Sequence, residues 1–220
     1  MLTHDYANMN ENIQFNCHDM KDNYSKILKE NLERLYEKET EKFAANLPGR
    51  LEGRNVVFNA FGAKCVISKD KITLDGEVCP PVLGILISLY AQNACPDDSI
   101  LLPLKAFQEF PNSMPYAGAF RTHTEQFLVP HVDMIKKAVS HILPALNGDQ
   151  APEGVDGDFS FMVYPFPKIA LCYIFYEADE EFPASVTCLY SSNADRFMPI
   201  DGLADVGEYT SRKILELISQ

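Results

Sequence analysis

Hydrophobic residues recur with helical spacing in several stretches of the chain. Amphipathic or apolar helices are predicted over residues 22–47, 81–95, 117–127, 130–146 and 201–218. Pro80-Pro81 and Pro96 mark the two ends of the most apolar of these helices. It is too short to span a bilayer, so the helix around Ile85, Leu86 and Leu89 is expected to be covered by protein and to be the most buried in the molecule.

Runs of β-branched and aromatic residues, bounded by turn residues, predict two groups of strands. Residues 56–61, 64–68 and 71–74 have the pattern of an antiparallel meander, and residues 159–164, 169–176 and 185–190 follow a turn-rich acidic linker over 147–157. Strand groups separated by helices, without strict β-α-β alternation, indicate an α+β fold with a mostly antiparallel sheet packed against amphipathic helices. We expect a single domain over residues 21–220 after a polar tail over residues 1–20.

The last two strands also allow a prediction of register. A turn centred on Glu180 sets Cys172 opposite Cys188 and groups the apolar residues of each strand into matched faces. In a reducing compartment we expect both cysteines to remain packed thiols.

Charge and cysteine spacing narrow the function classes. The formal net charge of −12 disfavours binding to nucleic acid or to an anionic membrane surface. The cysteines at positions 17, 65, 79, 95, 172 and 188 are dispersed, without the close pairs that bind zinc or an iron–sulfur cluster. The chain begins without the pattern of a signal peptide, and we expect a cytoplasmic protein with reduced thiols.

The densest polar feature is the run Glu177, Asp179, Glu180 and Glu181. Oxygen ligands suit Ca²⁺ or Mg²⁺, but the spacing differs from that of an EF-hand. An exposed turn between two strands, with no bound cation, is the prediction that we prefer.

Nucleophilic chemistry has two sets of candidates. Cys79 precedes the prolines that open the apolar helix, where a helix N-terminus can lower the pKa of a thiol. His131 and Asp133 offer an imidazole and a carboxylate, and His123 and His141 are the other histidines outside the tail. Buried structural thiols, and histidines at the surface or at helix ends, are the interpretation that we prefer for these residues.

Aromatic residues are interleaved with prolines over residues 104–120, which predicts an irregular loop. Phe107, Phe110, Tyr116 and Phe120 either line a ligand groove or cover the sheet.

The C-terminal third contains three distinctive sequence motifs. They are Phe166-Pro167-Lys168-Ile169, the segment from Ala178 to Ala184, and Ala194-Asp195-Arg196-Phe197. In these residues the chain resembles DUF3786, a family found mostly in anaerobic bacteria and archaea, with looser agreement over residues 24–218. One departure is Ser191, where the family pattern leads us to expect an aspartate, so a function tied to that carboxylate is in doubt.

The resemblance implies a link to iron–sulfur or corrinoid proteins, because family members often carry a cysteine-rich iron–sulfur segment before this domain. This chain has no such cysteines, so we expect the cofactor on a partner and none in this chain. The function expected is a non-catalytic accessory or binding domain in anaerobic metabolism. Its candidate partner or ligand surface comprises Asp179, Glu180, Glu181, Phe182, Arg196, Phe107, Phe110 and Tyr116. The alternative is a small enzyme with a pocket between segment 104–120 and the sheet, which uses Cys79 or a histidine together with a carboxylate.

Overall fold

The computed structural model describes residues 23–37 and 40–219, so the predicted tail over residues 1–20 lies outside the described residues. The helices are α1 (residues 23–36), α2 (Thr40–Asn46), α3 (Pro81–Gln92), α4 (Met114–Phe120), α5 (Val132–Ala145) and α6 (Ile200–Ile218). A π-helical turn over Arg121–Gln126 follows α4 directly, and 3-10 turns cover Phe107–Glu109, Val129–His131 and Ala194–Arg196.

In the described residues the strands form two five-stranded sheets. The first is a meander of β1 (Arg50–Glu52), β2 (Asn55–Ala60), β3 (Ala63–Ile67), β4 (Ile72–Leu74) and β5 (Glu77–Val78). The second has the order β6-β10-β9-β8-β7 and is built from β6 (Lys105–Ala106), β7 (Asp149–Gln150), β8 (Phe159–Phe166), β9 (Ile169–Tyr176) and β10 (Ser185–Tyr190). All neighbouring strands are antiparallel. The α+β class and the antiparallel pairing are therefore as predicted, with the strands divided between two sheets.

The turn between β2 and β3 joins the first sheet to the rest of the molecule. Phe61 and Gly62 both have positive φ, and the Phe61 N–H donates a hydrogen bond to the Pro165 carbonyl at 2.8 Å. A Cβ at Gly62 would overlap the carbonyl oxygen of Ala145 at the end of α5. Glycine is required here both by the backbone conformation and by the lack of space.

Helix α3 is covered by protein, as expected for so apolar a helix, but it is not the most buried element, because all residues of β9 except Tyr176 are buried. Leu86 and Ile87 are buried, and Tyr90 stacks on Phe166 of β8 with ring centroids 4.3 Å apart. Its buried side is rotated from the predicted one, because Ile85 and Leu89 are only half-buried.

Residues 104–120 are less irregular than predicted. Met114–Phe120 forms α4, with Pro115 in its first turn. The sequence prediction placed the start of the helix too late because it treated Pro115 as a breaker, whereas proline is well tolerated at the start of a helix.

The predicted register of the last hairpin is wrong by one residue. Cys172 lies opposite Leu189, and Cys188 lies opposite Tyr173. Neighbouring positions of a strand point to opposite faces, so this shift places the two cysteines on different sides of the sheet. Cys188 belongs to the main core, Cys172 packs with Met162 on the other face, and both are free thiols.

Within the described part of the chain, no helix has both the length and the apolar character needed to cross a membrane.

Candidate functional site

A pocket forms where β6 stops pairing with β10. Strand β6 pairs only with Leu189 and Tyr190, and in the described residues no strand pairs with this edge of β10 from Ser185 to Thr187. After Ala106 the chain turns away into the 3-10 turn, which is fixed by the Ala106 N–H donating to Glu109 Oε2 at 2.6 Å. The resulting cavity of about 390 Å³ is lined by residues from 106–108, α4, the π-helical turn and 185–187. We call it the strand-edge pocket.

The apolar wall of the strand-edge pocket is made of stacked rings. Phe107 and Phe120 are buried and lie parallel, with ring centroids 4.4 Å apart and an interplanar angle of 12°. Both rings also contact the buried ring of Tyr190 from β10. Rings packed on both sides give this wall a fixed shape.

Glu125 is the half-buried carboxyl of the pocket. Its Oε1 accepts a hydrogen bond from the Cys188 N–H at 3.0 Å. The side chain therefore provides a hydrogen-bond partner for the backbone of β10 at a position that β6 does not reach. Burial raises the pKa of Glu125, an effect opposed by the Cys188 N–H and by the positive charge of Arg121. The carboxyl is therefore less readily ionised than an exposed glutamate, and it can accept or donate a proton at the pocket surface.

The π-helical turn that carries Glu125 is anchored on α6. Ser211 Oγ donates to the Thr124 carbonyl at 2.8 Å and lies 3.0 Å from the Tyr173 hydroxyl. Gly207 allows the close approach, because a Cβ there would lie 2.6 Å from the Phe120 ring and 2.8 Å from Thr124 Oγ1. Insertions of this kind in a helix are frequent at functional sites, and here the wider turn is held by buried hydrogen bonds.

The acidic run forms an exposed loop whose residues are not among those that line this pocket. Asp179 Oδ1 accepts hydrogen bonds from the backbone N–H groups of Glu181 and Phe182 at 2.8 and 2.7 Å, and these bonds lower the pKa of Asp179. Glu177 pairs with Lys136 of α5. Glu180 and Phe182 are exposed. The expected exposed turn is confirmed.

The remaining candidate residues are dispersed. Phe107 lines the strand-edge pocket, whereas the buried Phe110 packs edge-on against Tyr190. Tyr116 lies on the other side of α4, in a small cavity with His123 and Asp205. Arg196 lies outside the pocket and forms an ion pair with Asp97 at 2.5 Å. Of the residues predicted to line a groove or a partner surface, the structure brings Phe107 and Phe120 to this pocket.

Cys79 is a buried structural thiol, as preferred from the sequence, and not an activated one. Its side chain is buried at the start of α3, and burial raises the pKa of Cys79 to about 12. The protonated thiol is neither a nucleophile nor a metal ligand. His123 and His141 are exposed and His131 is half-buried, and the strand-edge pocket has no histidine among its lining residues in the described chain.

Metal ligands are not clustered in the described ranges, where no group of three or more His, Cys, Asp or Glu residues is arranged to hold a metal ion.

Sequence reasoning missed Arg121 and Glu125. Their spacing of four residues, directly after an aromatic segment, was the available signal. On a helix this spacing is typical of an exposed ion pair. The burial of Glu125 depends instead on where β6 ends and on the position of β10, both distant in sequence.

Comparison with known proteins identifies a family. The model of the family described as "Domain of unknown function (DUF3786)" matches residues 39–213. No curated protein and no solved structure gave a significant match. The chain belongs to the DUF3786 family.

Proposed function

We propose, for this member of the DUF3786 family, that the chain is a non-catalytic binding domain whose ligand site is the strand-edge pocket. The observation that carries the proposal is the half-buried carboxyl of Glu125 in that pocket. A carboxyl withdrawn from water costs free energy, and such a cost is typical of a site kept for function. Aromatic rings beside a small number of polar groups are found in many small-molecule sites.

The pocket's size agrees with this role. Its volume of about 390 Å³ lies at the lower end of the range of small-molecule sites, roughly 300 to 1,000 Å³. The ligand expected is therefore small.

The experiment is a fragment screen observed by ¹⁵N NMR on the whole chain. We expect fragments to shift the backbone amides of Glu125, Val186 and Thr187 first, because these residues line the pocket. The backbone amides of Asp179 and Glu180 in the acidic loop are the reference signals, since these two residues are exposed and do not line the pocket. Fragments that shift only the loop, or no shift at the pocket across the library, would exclude the binding role.

A second candidate is an enzyme in which Glu125 is the general acid or base. The raised pKa of Glu125 favours it, because a carboxyl with this shift transfers protons nearer neutral pH. Turnover of a bound fragment that disappears in Glu125→Gln while binding persists would support this function over the first.

We also propose that this binding domain serves an iron–sulfur or corrinoid protein as its partner. The support is the family resemblance together with the net charge of −12, which suits a partner with a basic surface. Purification from an anaerobic lysate tests this proposal. A captured partner with the visible absorption of an iron–sulfur cluster or a corrinoid supports it, and capture of colourless partners alone contradicts it.

A further inference from the structure

Arg121 and Glu125 carry opposite charges into the same pocket without forming an ion pair. Both line the cavity, yet no salt bridge joins them, and Arg121 has no ion-pair partner among the described residues. They are close enough for the guanidinium to oppose the pKa rise of Glu125. On α6 the same spacing does produce a pair, with Arg212 2.6 Å from Glu208.

The hydrogen bond to the sheet explains why this pair stays apart. The Cys188 N–H holds Glu125 Oε1 inward at 3.0 Å, and the Arg121 side chain remains exposed at the rim. Oε2 of Glu125 has no hydrogen-bond partner among the described residues. Within the described residues, the pocket thus offers one open carboxyl oxygen and one guanidinium without an ion-pair partner.

The strand edge adds a second pair of polar groups. The Cys188 N–H points away from β9, and alternate residues of a strand direct their N–H and C=O groups to the same edge. The N–H and C=O of Val186 therefore face the pocket as well. The rings of Phe107 and Phe120 form the apolar wall beside these groups.

A ligand that matches these walls has a cationic N–H donor that binds Glu125 and a carboxylate that binds Arg121, and a short link joins these two groups. It also has a small apolar group that contacts the rings of Phe107 and Phe120. Guanidinium and carboxylate form strong bidentate hydrogen bonds, and an ammonium group bonded to a carboxylate gains similar charge assistance. We propose that the strand-edge pocket binds a free α-amino acid with an apolar side chain. This inference rests on the proposed binding function.

The test is calorimetric titration of the whole chain with L-leucine and two analogues that each lack one charge. 4-Methylpentanoate lacks the ammonium group, and isoamylamine lacks the carboxylate. We expect each analogue to bind about tenfold more weakly than leucine, the effect of losing one charge-assisted contact.

Two variants assign each charge to its residue. Glu125→Gln should weaken leucine binding about tenfold and leave 4-methylpentanoate unchanged, and Arg121→Gln should weaken leucine to the same degree and leave isoamylamine unchanged. Arg212→Gln, an exposed arginine outside the pocket, is the control and should bind leucine like the unmodified chain.

The outcomes separate the two proposals. If fragments shift the pocket amides but leucine binds no better than its analogues, the amino-acid assignment fails and the binding function stands. If neither fragments nor leucine affect the pocket amides, both fail.

Discussion

Carboxylates have opposite environments in the acidic loop over residues 177–184 and in the strand-edge pocket. In the loop, Asp179 is exposed and satisfied by its own backbone, and its pKa is lowered. In the pocket, Glu125 is half-buried, holds the edge of β10 through one oxygen, and has a raised pKa. The density of charged residues in the sequence made the loop a candidate surface, whereas the partial burial of a carboxyl group distinguishes the pocket from the loop. A half-buried carboxyl held by one hydrogen bond is therefore a stronger reason to propose a site than a run of exposed ones.

The support behind the two regions differs as well. The loop is fixed by local hydrogen bonds between residues adjacent in sequence. The pocket depends on the close contact of the π-helical turn with α6 at Gly207 and Ser211. Substitutions at that contact should have the largest effects.

Gly207→Ala tests the close approach. The added Cβ meets the Phe120 ring, Thr124 Oγ1 and the Tyr190 hydroxyl, so we expect a loss of about 1–3 kcal/mol in the free energy of unfolding. Urea denaturation measures it. The displaced Phe120 ring should also weaken binding to the pocket.

Gly118→Ala is the matched control for that substitution. Gly118 lies inside α4, and a Cβ there meets nothing within 4 Å. Alanine should therefore stabilise the helix by about 0.5–1 kcal/mol. Equal effects of the two substitutions would show that the turn is not held by close packing against α6.

Ser211→Ala tests the hydrogen bonds that anchor the turn. The substitution removes the donor to the buried Thr124 carbonyl and one partner of Tyr173, at an expected cost of about 1–2 kcal/mol. Ser219→Ala, at the exposed end of α6, is the control and should change stability by less than about 0.5 kcal/mol. A small effect at both positions would mean that water replaces the lost donor.

Most of the fold was accessible from the sequence because its signals are local. The bounds of β9 and β10 agree with the prediction, since apolar runs there end at clear turn residues. Their register was not accessible, because β9 is apolar on both faces and either register buries matched residues. The loop decides the register: Asp179 donates its N–H to the Phe182 carbonyl, so the turn is not centred on Glu180.

The candidate site was harder to predict from the sequence, because it is formed by residues that are distant along the chain. Glu125 has an ordinary helical neighbourhood in the sequence, and its burial arises only when β10, distant along the chain, packs beside it. Cys79 was chosen from its position before a helix, and the surrounding core then raised its pKa. Local patterns identify the residue types, while burial determines their ionisation.

Glu125→Gln should make the protein slightly more stable at neutral pH. Because the folded pKa is raised, the stabilising contribution of Glu125 is complete below its unfolded value near 4.5 and is lost as pH rises through the folded pKa. The amide of the introduced glutamine keeps an acceptor for the Cys188 N–H and has no ionised form. Exposure to solvent at the pocket mouth limits the gain, so we expect Tm at pH 7 to rise by about 1 °C.

The gain of Glu125→Gln should shrink on acidification and fall toward zero as pH drops below 4.5, because the carboxyl of Glu125 then becomes protonated in the unfolded as well as in the folded state. Thermal unfolding followed by circular dichroism from pH 4 to pH 8 gives the comparison. A variant that is less stable than the unmodified chain at pH 7 would mean that the ionised carboxylate stabilises the fold.

Asp179→Asn should have the smallest effect and the opposite pH dependence. The N–H groups of Phe182 and Glu181 lower the folded pKa of Asp179 below 3.8, so its contribution is present above that value and is lost as pH falls through the folded pKa. Asparagine retains an acceptor in an exposed turn, and we expect no measurable change in Tm at pH 7.

Carboxyl titrations of the unmodified chain by ¹³C NMR should show the pKa of Asp179 below its ordinary value and the pKa of Glu125 above it. Ligand binding to the strand-edge pocket should be unchanged in Asp179→Asn. Shifts of the same sign at both residues, or weaker binding in Asp179→Asn, would remove the distinction between the loop and the pocket.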